Sequence, residues 1–194
     1  MPDINITGAD GGRYNVVNFY NLSAVSISSF NSSLCSVQGT SPSQGTILFY
    51  KPTDLFPSLT TFVPGSGYII QAKNTFAITV SSNPPSTEGL LGITGADGGR
   101  YNIVTFQAAS ALGISSFNSS LCSVQGTSPS QGTILFYKPT DLFPSLTNFV
   151  PGSGYVIQAK GNFNIEQVLN GFVLESDEYS YLIFEDDTNM LLET

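Results

Sequence analysis

Two short motifs have residues suited to holding a charged ligand, and each motif occurs twice. Asp10-Gly-Gly-Arg13 and its copy Asp97-Gly-Gly-Arg100 place a carboxylate three residues before a guanidinium. One carboxylate is too few for a calcium cage, which needs several oxygen ligands. The paired glycines accept positive φ at no steric cost, as hairpin turns require. We therefore predict a hairpin turn at each motif, with bracing between Asp and Arg.

A second motif combines a tyrosine with two opposite charges. Tyr50-Lys51-Pro-Thr-Asp54 recurs as Tyr137-Lys138-Pro-Thr-Asp141. Lys and Asp around a Pro-Thr turn indicate an exposed loop, where an ion pair contributes little stability. Such a loop can contact a partner, and a tyrosine with an exposed hydroxyl can stack on a sugar. The candidate partner contacts are Tyr50, Lys51, Asp54, Tyr137, Lys138 and Asp141, and Tyr68 is a further sugar-stacking candidate.

The densest acidic cluster lies near the end of the chain. Glu185, Asp186 and Asp187 are consecutive, but their spacing does not match an EF-hand loop. A solvated turn between two strands accounts for the cluster better than calcium binding does. We therefore count these three carboxylates among the candidate partner contacts.

The composition gives little support to enzymatic chemistry. The 194 residues include no His, which excludes His-based triads, His general bases and zinc sites with imidazole ligands. A hydrolase with two carboxylates would have to use Asp10 and Asp54. We predict no catalytic residue, no cofactor and no metal, with the two-carboxylate hydrolase as an alternative.

The net charge belongs to one end of the chain. Residues 1–165 carry six acids and all six cations, whereas residues 166–194 carry eight acids and no cation, so the net charge is −8. This balance argues against nucleic-acid binding, which depends on basic contacts to phosphate. No apolar run approaches the roughly 20 residues of a membrane span, and Met1–Asn5 lacks the features of a signal peptide.

The chain contains an internal duplication, and we name its two copies the first and the second repeat. Residues 6–73 align with residues 93–160 at an offset of 87, with nine differences in 68 positions. Ile27–Thr60 and Ile114–Thr147 are identical over 34 residues. Two such copies should fold alike and present the same surface twice, which suits bivalent contact. A gene duplication without functional consequence is the alternative.

The differences between the repeats are clustered, and their cysteines are equivalent. Most of the nine differences fall within Val16–Ser26, and the others are at Thr61 and Ile69. Each repeat has one cysteine, Cys35 or Cys122, so no disulfide can form within a repeat. We predict that both thiols are buried as small apolar side chains.

The pattern of the first repeat predicts strands joined by short helical turns. Arg13–Tyr20, Thr46–Tyr50 and Tyr68–Ala72 have the β-branched and aromatic content of strands. Apolar residues spaced three or four apart predict a short helix over Ile27–Val37, and Leu55–Phe62 predicts a helical turn. The aromatic residues that we expect in the core are Phe19, Phe30, Phe49, Tyr50, Phe56, Phe62 and Tyr68.

The fold class that we predict is mainly β: two tandem small β domains with short helical turns, plus a C-terminal β-meander or hairpin. The domains are residues 1–80 and 90–165, joined by a Pro/Ser linker at residues 81–89 whose Pro-Pro pair is stiff. Residues 166–194 form an acidic strand segment, with strands expected at Phe172–Glu175, Tyr181–Glu185 and Met190–Glu193. Two arrangements are open: a near-symmetric hydrophobic contact between the repeats, or a rigid linker that holds them apart.

One sequence pattern resembles that of known proteins. Pro64-Gly-Ser-Gly-Tyr-Ile-Ile70, with its copy Pro151-Gly-Ser-Gly-Tyr-Val-Ile157, resembles small β-rich modules of bacterial surface proteins and phage structural proteins. Those modules often have Trp after the Tyr, where this chain has Ile69 or Val156. The Leu-Leu-Glu-type tail looks like short C-terminal repeats in virion proteins of marine tailed phages, including capsid knobs and fibres.

The resemblance implies a structural role without catalytic residues. The expected function is a capsid knob or decoration protein on the outside of a phage particle, docked on the major capsid protein or other virion proteins, with a homo-oligomer as an option. The expected location is the capsid surface of the virion, and the alternative is an extracellular or cell-surface location. The alternative function is a tail fibre or adhesin that binds a receptor or polysaccharide. No nucleic acid or membrane is expected as a partner.

Overall fold

Short strands make up nearly all of the regular structure, which confirms the predicted mainly β class. A computed structural model of the chain describes residues 3–41, 44–81, 89–128, 132–167, 181–183 and 189–191. The strands of the first repeat are β1 Ile4–Ile6, β2 Arg13–Phe19, β3 Val25–Ser26, β4 Leu34–Thr40, β5 Ile47–Tyr50, β6 Thr61–Phe62, β7 Ser66–Ala72 and β8 Phe76–Ile78. Those of the second repeat are β9 Gly89–Ile93, β10 Arg100–Thr105, β11 Leu112–Gly113, β12 Leu121–Thr127, β13 Ile134–Tyr137, β14 Asn148–Phe149, β15 Gly154–Ala159 and β16 Phe163–Gln167.

Both repeats build the same four-stranded antiparallel sheet. The strand order is β2-β7-β4-β5 in the first repeat and β10-β15-β12-β13 in the second. Two small ladders accompany each sheet: β1–β8 and β3–β6 in the first repeat, and β9–β16 and β11–β14 in the second. The predicted strands Arg13–Tyr20, Thr46–Tyr50 and Tyr68–Ala72 are therefore confirmed as β2, β5 and β7. β9 begins at Gly89, the last residue of the predicted linker.

Each sheet buries one face in the core of its own repeat. Tyr68, Ile70 and Ala72 alternate along β7 and all lie in the core of the first repeat. Phe62 meets Tyr68 edge to face, with 5.0 Å between ring centroids, and this geometry suits the aromatic quadrupoles. The equivalent rings of the second repeat have the same arrangement, also at 5.0 Å.

Two of the aromatic residues expected in the core are exposed. Phe49 is 47% exposed and Phe56 is 95% exposed. Phe49 lies on the edge strand β5, where one face of the strand meets solvent, and Phe56 lies in a loop. The prediction holds for Phe19, Tyr50, Phe62 and Tyr68, which are buried, and Phe30 is half-buried against the same core.

The predicted helix over Ile27–Val37 is wrong beyond its first turn. A 3-10 turn spans Ile27–Phe30, and Leu34 and Val37 lie on β4. The pairing of β4 with β7 shifts register between Leu34 and Ser36, which makes Cys35 the extra residue of a β-bulge. The bulge turns residues three apart to the same face, so a strand produces the apolar spacing of a helix.

The predicted helical turn over Leu55–Phe62 is also wrong. Residues 51–60 form turns and bends without helix, and Thr61–Phe62 is the strand β6. Pro57 removes one backbone donor from this segment, and its Ser and Thr residues favour turns over helix.

The Asp-Gly-Gly turn forms, but it does not close a hairpin. The Gly12 amide donates to the Ala9 carbonyl oxygen at 2.8 Å, and Gly11 has φ 82°, as the third residue of a type II turn requires. β1 pairs with β8 instead of β2. Directly after β1, the Asn15 side chain bonds to the Thr7 backbone: its carboxamide accepts from the Thr7 amide at 3.0 Å and donates to the Thr7 carbonyl at 2.9 Å.

The cysteines differ partly from expectation. Cys35 and Cys122 are free thiols, as predicted within each repeat, but they are only half-buried. Both occupy the bulge position of their strand, where the extra residue leaves the regular alternation of faces.

The repeats are in contact, and the contact is nearly two-fold symmetric. We name it the repeat interface. Its apolar centre consists of three residues from each repeat: Tyr14, Val16 and Ile69 from the first, and Tyr101, Ile103 and Val156 from the second. The sequence left open whether a stiff linker holds the repeats apart; the structure shows the symmetric hydrophobic contact.

Two glycines bring the two sheets together at backbone distance. A Cβ atom on Gly67 would lie 2.2 Å from the Ile103 carbonyl oxygen, and one on Gly154 would lie 2.5 Å from the Val16 Cβ. A void of about 10 Å³ remains beside Val16 and Val156, near the lower limit for a single water. The two sheets therefore meet in a close, apolar contact.

Reciprocal hydrogen bonds complete the repeat interface. The Tyr14 amide donates to the Gly132 carbonyl at 3.2 Å, and the Tyr101 amide donates to the Gly45 carbonyl at 3.1 Å. The loop that follows β4 thus reaches the edge strand β10, and the loop that follows β12 reaches the edge strand β2. These bonds occupy part of the outer edges of β2 and β10, which would otherwise be open to other strands.

The acidic C-terminal segment contains a strand pair. β17 Tyr181–Ile183 and β18 Asn189–Leu191 pair antiparallel, with Leu182 opposite Met190. These strands overlap two of the three predicted strands. The third, Phe172–Glu175, lies outside the described residues.

We expect Phe62→Ala to destabilise the first repeat by about 3–5 kcal/mol, because it removes a fully buried ring and leaves a cavity. Phe56→Ala should change the free energy of unfolding by less than about 0.5 kcal/mol, since the ring is exposed. Urea unfolding followed by circular dichroism compares the two variants. An equal loss of stability in both would contradict the burial described here.

Candidate functional site

Each repeat projects a loop that is tied down at both ends. We name residues 51–58 and 138–145 the apolar loops. The first begins after Tyr50, whose buried hydroxyl donates to the Asn31 carboxamide oxygen at 2.5 Å. It ends at Ser58, whose hydroxyl accepts from the Phe49 amide at 2.9 Å, and the next amide, that of Leu59, donates to the Phe49 carbonyl at 3.1 Å.

The tip of each apolar loop is a Leu-Phe pair in full contact with solvent. Leu55 and Phe56 are 88% and 95% exposed, and Leu142 and Phe143 are 88% and 94% exposed. Burying one such side chain stabilises a folded protein or a complex by about 1.5–3 kcal/mol. The isolated chain lacks this stabilisation at four positions. Scattered exposed apolar residues are ordinary, but an adjacent pair repeated on two anchored loops is typical of an interaction site.

The charged residues predicted as contacts belong to the same loops. Lys51 and Asp54 are exposed, and the Asp54 amide donates to the Lys51 carbonyl at 3.0 Å, which closes a turn. Lys138 and Asp141 form the same turn at the same distance. The structure thus places the four predicted charges directly beside the Leu-Phe pairs.

The tyrosines predicted as contacts face inward. Tyr50 and Tyr137 are each 6% exposed, and the Tyr137 hydroxyl donates to Asn118 at 2.6 Å. Tyr68 is 2% exposed, and its hydroxyl oxygen accepts from the Val63 amide at 2.6 Å. These rings anchor the loops and the core, and their faces are not open for stacking on a sugar. The remaining predicted contacts, Glu185, Asp186 and Asp187, lie outside the described residues.

A polar cleft lies between the repeats, at one end of the repeat interface. Its volume is about 230 Å³, and residues of both repeats line it, including Thr40, Ser41, Arg100 and Asn102. Asn102 is held by Thr94, whose amide and hydroxyl both donate to the carboxamide oxygen. Ser41 and Arg100 also have partners within the chain, so a ligand would have to displace existing interactions.

The candidate metal-ligating and carboxylate side chains are scattered in the described part of the chain. No group of three or more His, Cys, Asp or Glu side chains comes together there. Asp10 and Asp54, the pair considered for a two-carboxylate hydrolase, are both exposed. Burial raises the pKa of Tyr68 and of Tyr155, although the bonds from Val63 and Val150 oppose the shift. Both phenols are therefore neutral at physiological pH.

The sequence predicted the charged residues of the apolar loops as contacts, but it did not predict that the Leu-Phe pairs at the loop tips are exposed. Phe56 was expected in the core because aromatic residues are usually buried. Its neighbours carry a signal that points the other way: Asp54 and Pro57 enclose a Leu-Phe pair that has no alternation with polar residues.

Comparisons with protein-family models, curated proteins and solved structures gave no match for this chain. Among the described residues, helical structure consists of single 3-10 turns, and none has the length and apolarity of a transmembrane helix.

We expect stability to fall at alkaline pH because of Tyr68 and Tyr155. Their pKa values are raised in the folded state above the ordinary value of 10.0, so their contribution is complete below pH 10. It is lost as the pH rises from 10 through the folded pKa, because the unfolded chain then releases its protons first. Urea midpoints measured from neutral to strongly alkaline pH test this.

The double variant Tyr68→Phe/Tyr155→Phe is the control for the alkaline loss. It keeps both rings and removes both ionisable hydroxyls, so its stability should depend less on pH above 10. An unchanged alkaline slope in this variant would contradict the assignment.

Proposed function

We propose that this chain is a non-enzymatic structural protein of a phage particle, docked on the outside of the shell as a knob or decoration protein. The observation that carries the proposal is the Leu-Phe pair that each repeat exposes on an anchored loop. The resemblance of the Pro-Gly-x-Gly-Tyr pattern to phage structural modules supports the same function. The major capsid protein, or another virion protein, is the partner in this proposal.

The geometry suits docking because both loops are held on one frame. The tips are pre-positioned by buried tyrosines and by hydrogen bonds to β5 and β13, so binding orders few further residues. A surface that engages both loops at once binds more strongly than one that engages a single loop, since the second contact is intramolecular once the first has formed. A shell of many identical subunits offers a repeated surface to such a pair.

The test of location is the copy number of this chain in purified particles, measured by quantitative mass spectrometry against the major shell protein. A number of copies comparable with the shell subunits supports decoration of the capsid. A few copies per particle would move the chain to the tail, and absence from particles would overturn the virion proposal.

The test of the docking surface is a pair of substitutions with a matched control. Phe56→Ser and Phe143→Ser should each weaken docking on particles by about 30-fold, corresponding to about 2 kcal/mol for one buried ring. Leu22→Ser is the control, because Leu22 is 76% exposed, lies outside the apolar loops and has Ala109 as its counterpart. Docking that tolerates both Phe substitutions would rule out the loops as the contact.

A second candidate function is a tail fibre or adhesin that binds a polysaccharide. The exposed rings of Phe56 and Phe143 favour it, because flat aromatic faces can pack on sugar rings. Binding to host polysaccharide that survives Phe56→Tyr and is lost in Phe56→Ser would support this candidate over docking on the shell.

A further inference from the structure

The repeat interface has the construction of a symmetric dimer interface, although one chain supplies both sides. Each contact occurs twice with the partners exchanged: Gly67 meets Ile103, and Gly154 meets Val16. Interfaces between identical subunits related by a two-fold axis have this reciprocal form, in which one surface patch is complementary to itself.

The two sequence differences between the repeats that fall in the repeat interface leave its composition unchanged. In the first repeat, Val16 is paired with Ile69 across β2 and β7. In the second, Ile103 is paired with Val156 across β10 and β15. Each repeat therefore contributes one valine and one isoleucine, and the other seven differences lie outside the apolar centre of the interface.

The contacts around the apolar centre are also common to both repeats. Arg13 packs its Cγ over Gly132, at 2.3 Å from the position of a Cβ, and Arg100 packs over Gly45 at the same distance. The Tyr14 and Tyr101 amides bond to these same two glycines. All of these residues are identical between the repeats, so nothing in this ring of contacts distinguishes one pairing from another.

We propose that the repeat interface is a general pairing surface, by which repeats of different chains also associate, with a second copy of this chain as the partner. Two first repeats, two second repeats or one of each bring together the same two valines and two isoleucines. The glycines at 67 and 154 allow the same backbone approach in all three pairs. The covalent connection through residues 82–88 makes pairing within the chain the favoured form, because it raises the effective concentration of the partner.

The experiment removes that covalent advantage after the chain has folded. A recognition site for a specific protease is placed within residues 82–88, the folded chain is cut, and isotope-labelled and unlabelled cut proteins are mixed. Native mass spectrometry then counts the pairs. We expect first–first, first–second and second–second pairs in statistical proportions once the labels have mixed.

Three outcomes would overturn the proposal. Mixed labels with first–second pairs alone would show that the surface distinguishes the repeats. Single halves alone would show that the surface does not hold without the linker. Labels that never mix would show that the surface is not shared between chains.

Two glycine variants test whether this surface carries the pairing. Gly67→Ala places a methyl group against the backbone of Ile103, so after cutting, first repeats with this change should lose pairing with either partner. Gly113→Ala is the matched control: a Cβ at Gly113 would have ordinary van der Waals contacts at 3.9 Å and its counterpart is Ser26, so pairing should match that of the unmodified protein. Equal pairing in the two variants would place the contact elsewhere.

Discussion

The close approach of two backbones, β7 to β10 and β15 to β2, is the constraint on which the arrangement of this protein depends. Gly67 and Gly154 make it possible, because any side chain at either position would collide with the opposite strand. With the sheets at this distance, Ile69, Ile103 and Val156 lose contact with water although they lie outside both repeat cores. The repeats therefore stabilise each other through a third apolar cluster that neither could form alone.

That contact also determines which surfaces stay open. The edge strands β2 and β10 accept bonding partners from the opposite repeat, at Gly132 and Gly45. The other edges, β5 and β13, are covered at Phe49 and Phe136 by the chain that follows each apolar loop. Exposed sheet edges promote unwanted pairing, and these bonds restrict it. The Leu-Phe pairs of the apolar loops are the most exposed large apolar side chains in the described residues.

Local sequence patterns predicted the strands well and their surroundings less well. The content of β-branched and aromatic residues identified β2, β5 and β7, since such side chains fit the pleated surface of a strand. At Cys35 the pattern was misleading, because the extra residue of the bulge turns Leu34 and Val37 to the same face and imitates the spacing of a helix. The hairpin prediction was wrong because it expected backbone pairing next to the turn, where the Asn15 side chain bonds to the Thr7 backbone instead.

The burial of the repeat interface and the exposure of the loop tips could not be predicted from local sequence, for a different physical reason. Burial of Ile69 depends on a surface 34 residues away along the chain, at Ile103, and a local pattern carries no information about such a contact. Ile69 stands between two core residues, Tyr68 and Ile70, so its apolar character looked like part of a fully buried strand. Phe56 shows the reverse case, an aromatic residue whose exposure follows from how its loop is anchored.

The identity of Ile27–Thr60 and Ile114–Thr147 has a consequence for how the chain finds its fold. Both segments contain a complete hairpin, β4–β5 or β12–β13, so either hairpin can pair with β7 equally well. The native partners Leu34 and Ala72 are 38 residues apart, and the competing partners Ala72 and Leu121 are 49 apart. Loop closure favours the native choice by only about 0.2 kcal/mol. The entropy of loop closure therefore gives the early stages of folding almost no means of telling the two hairpins apart.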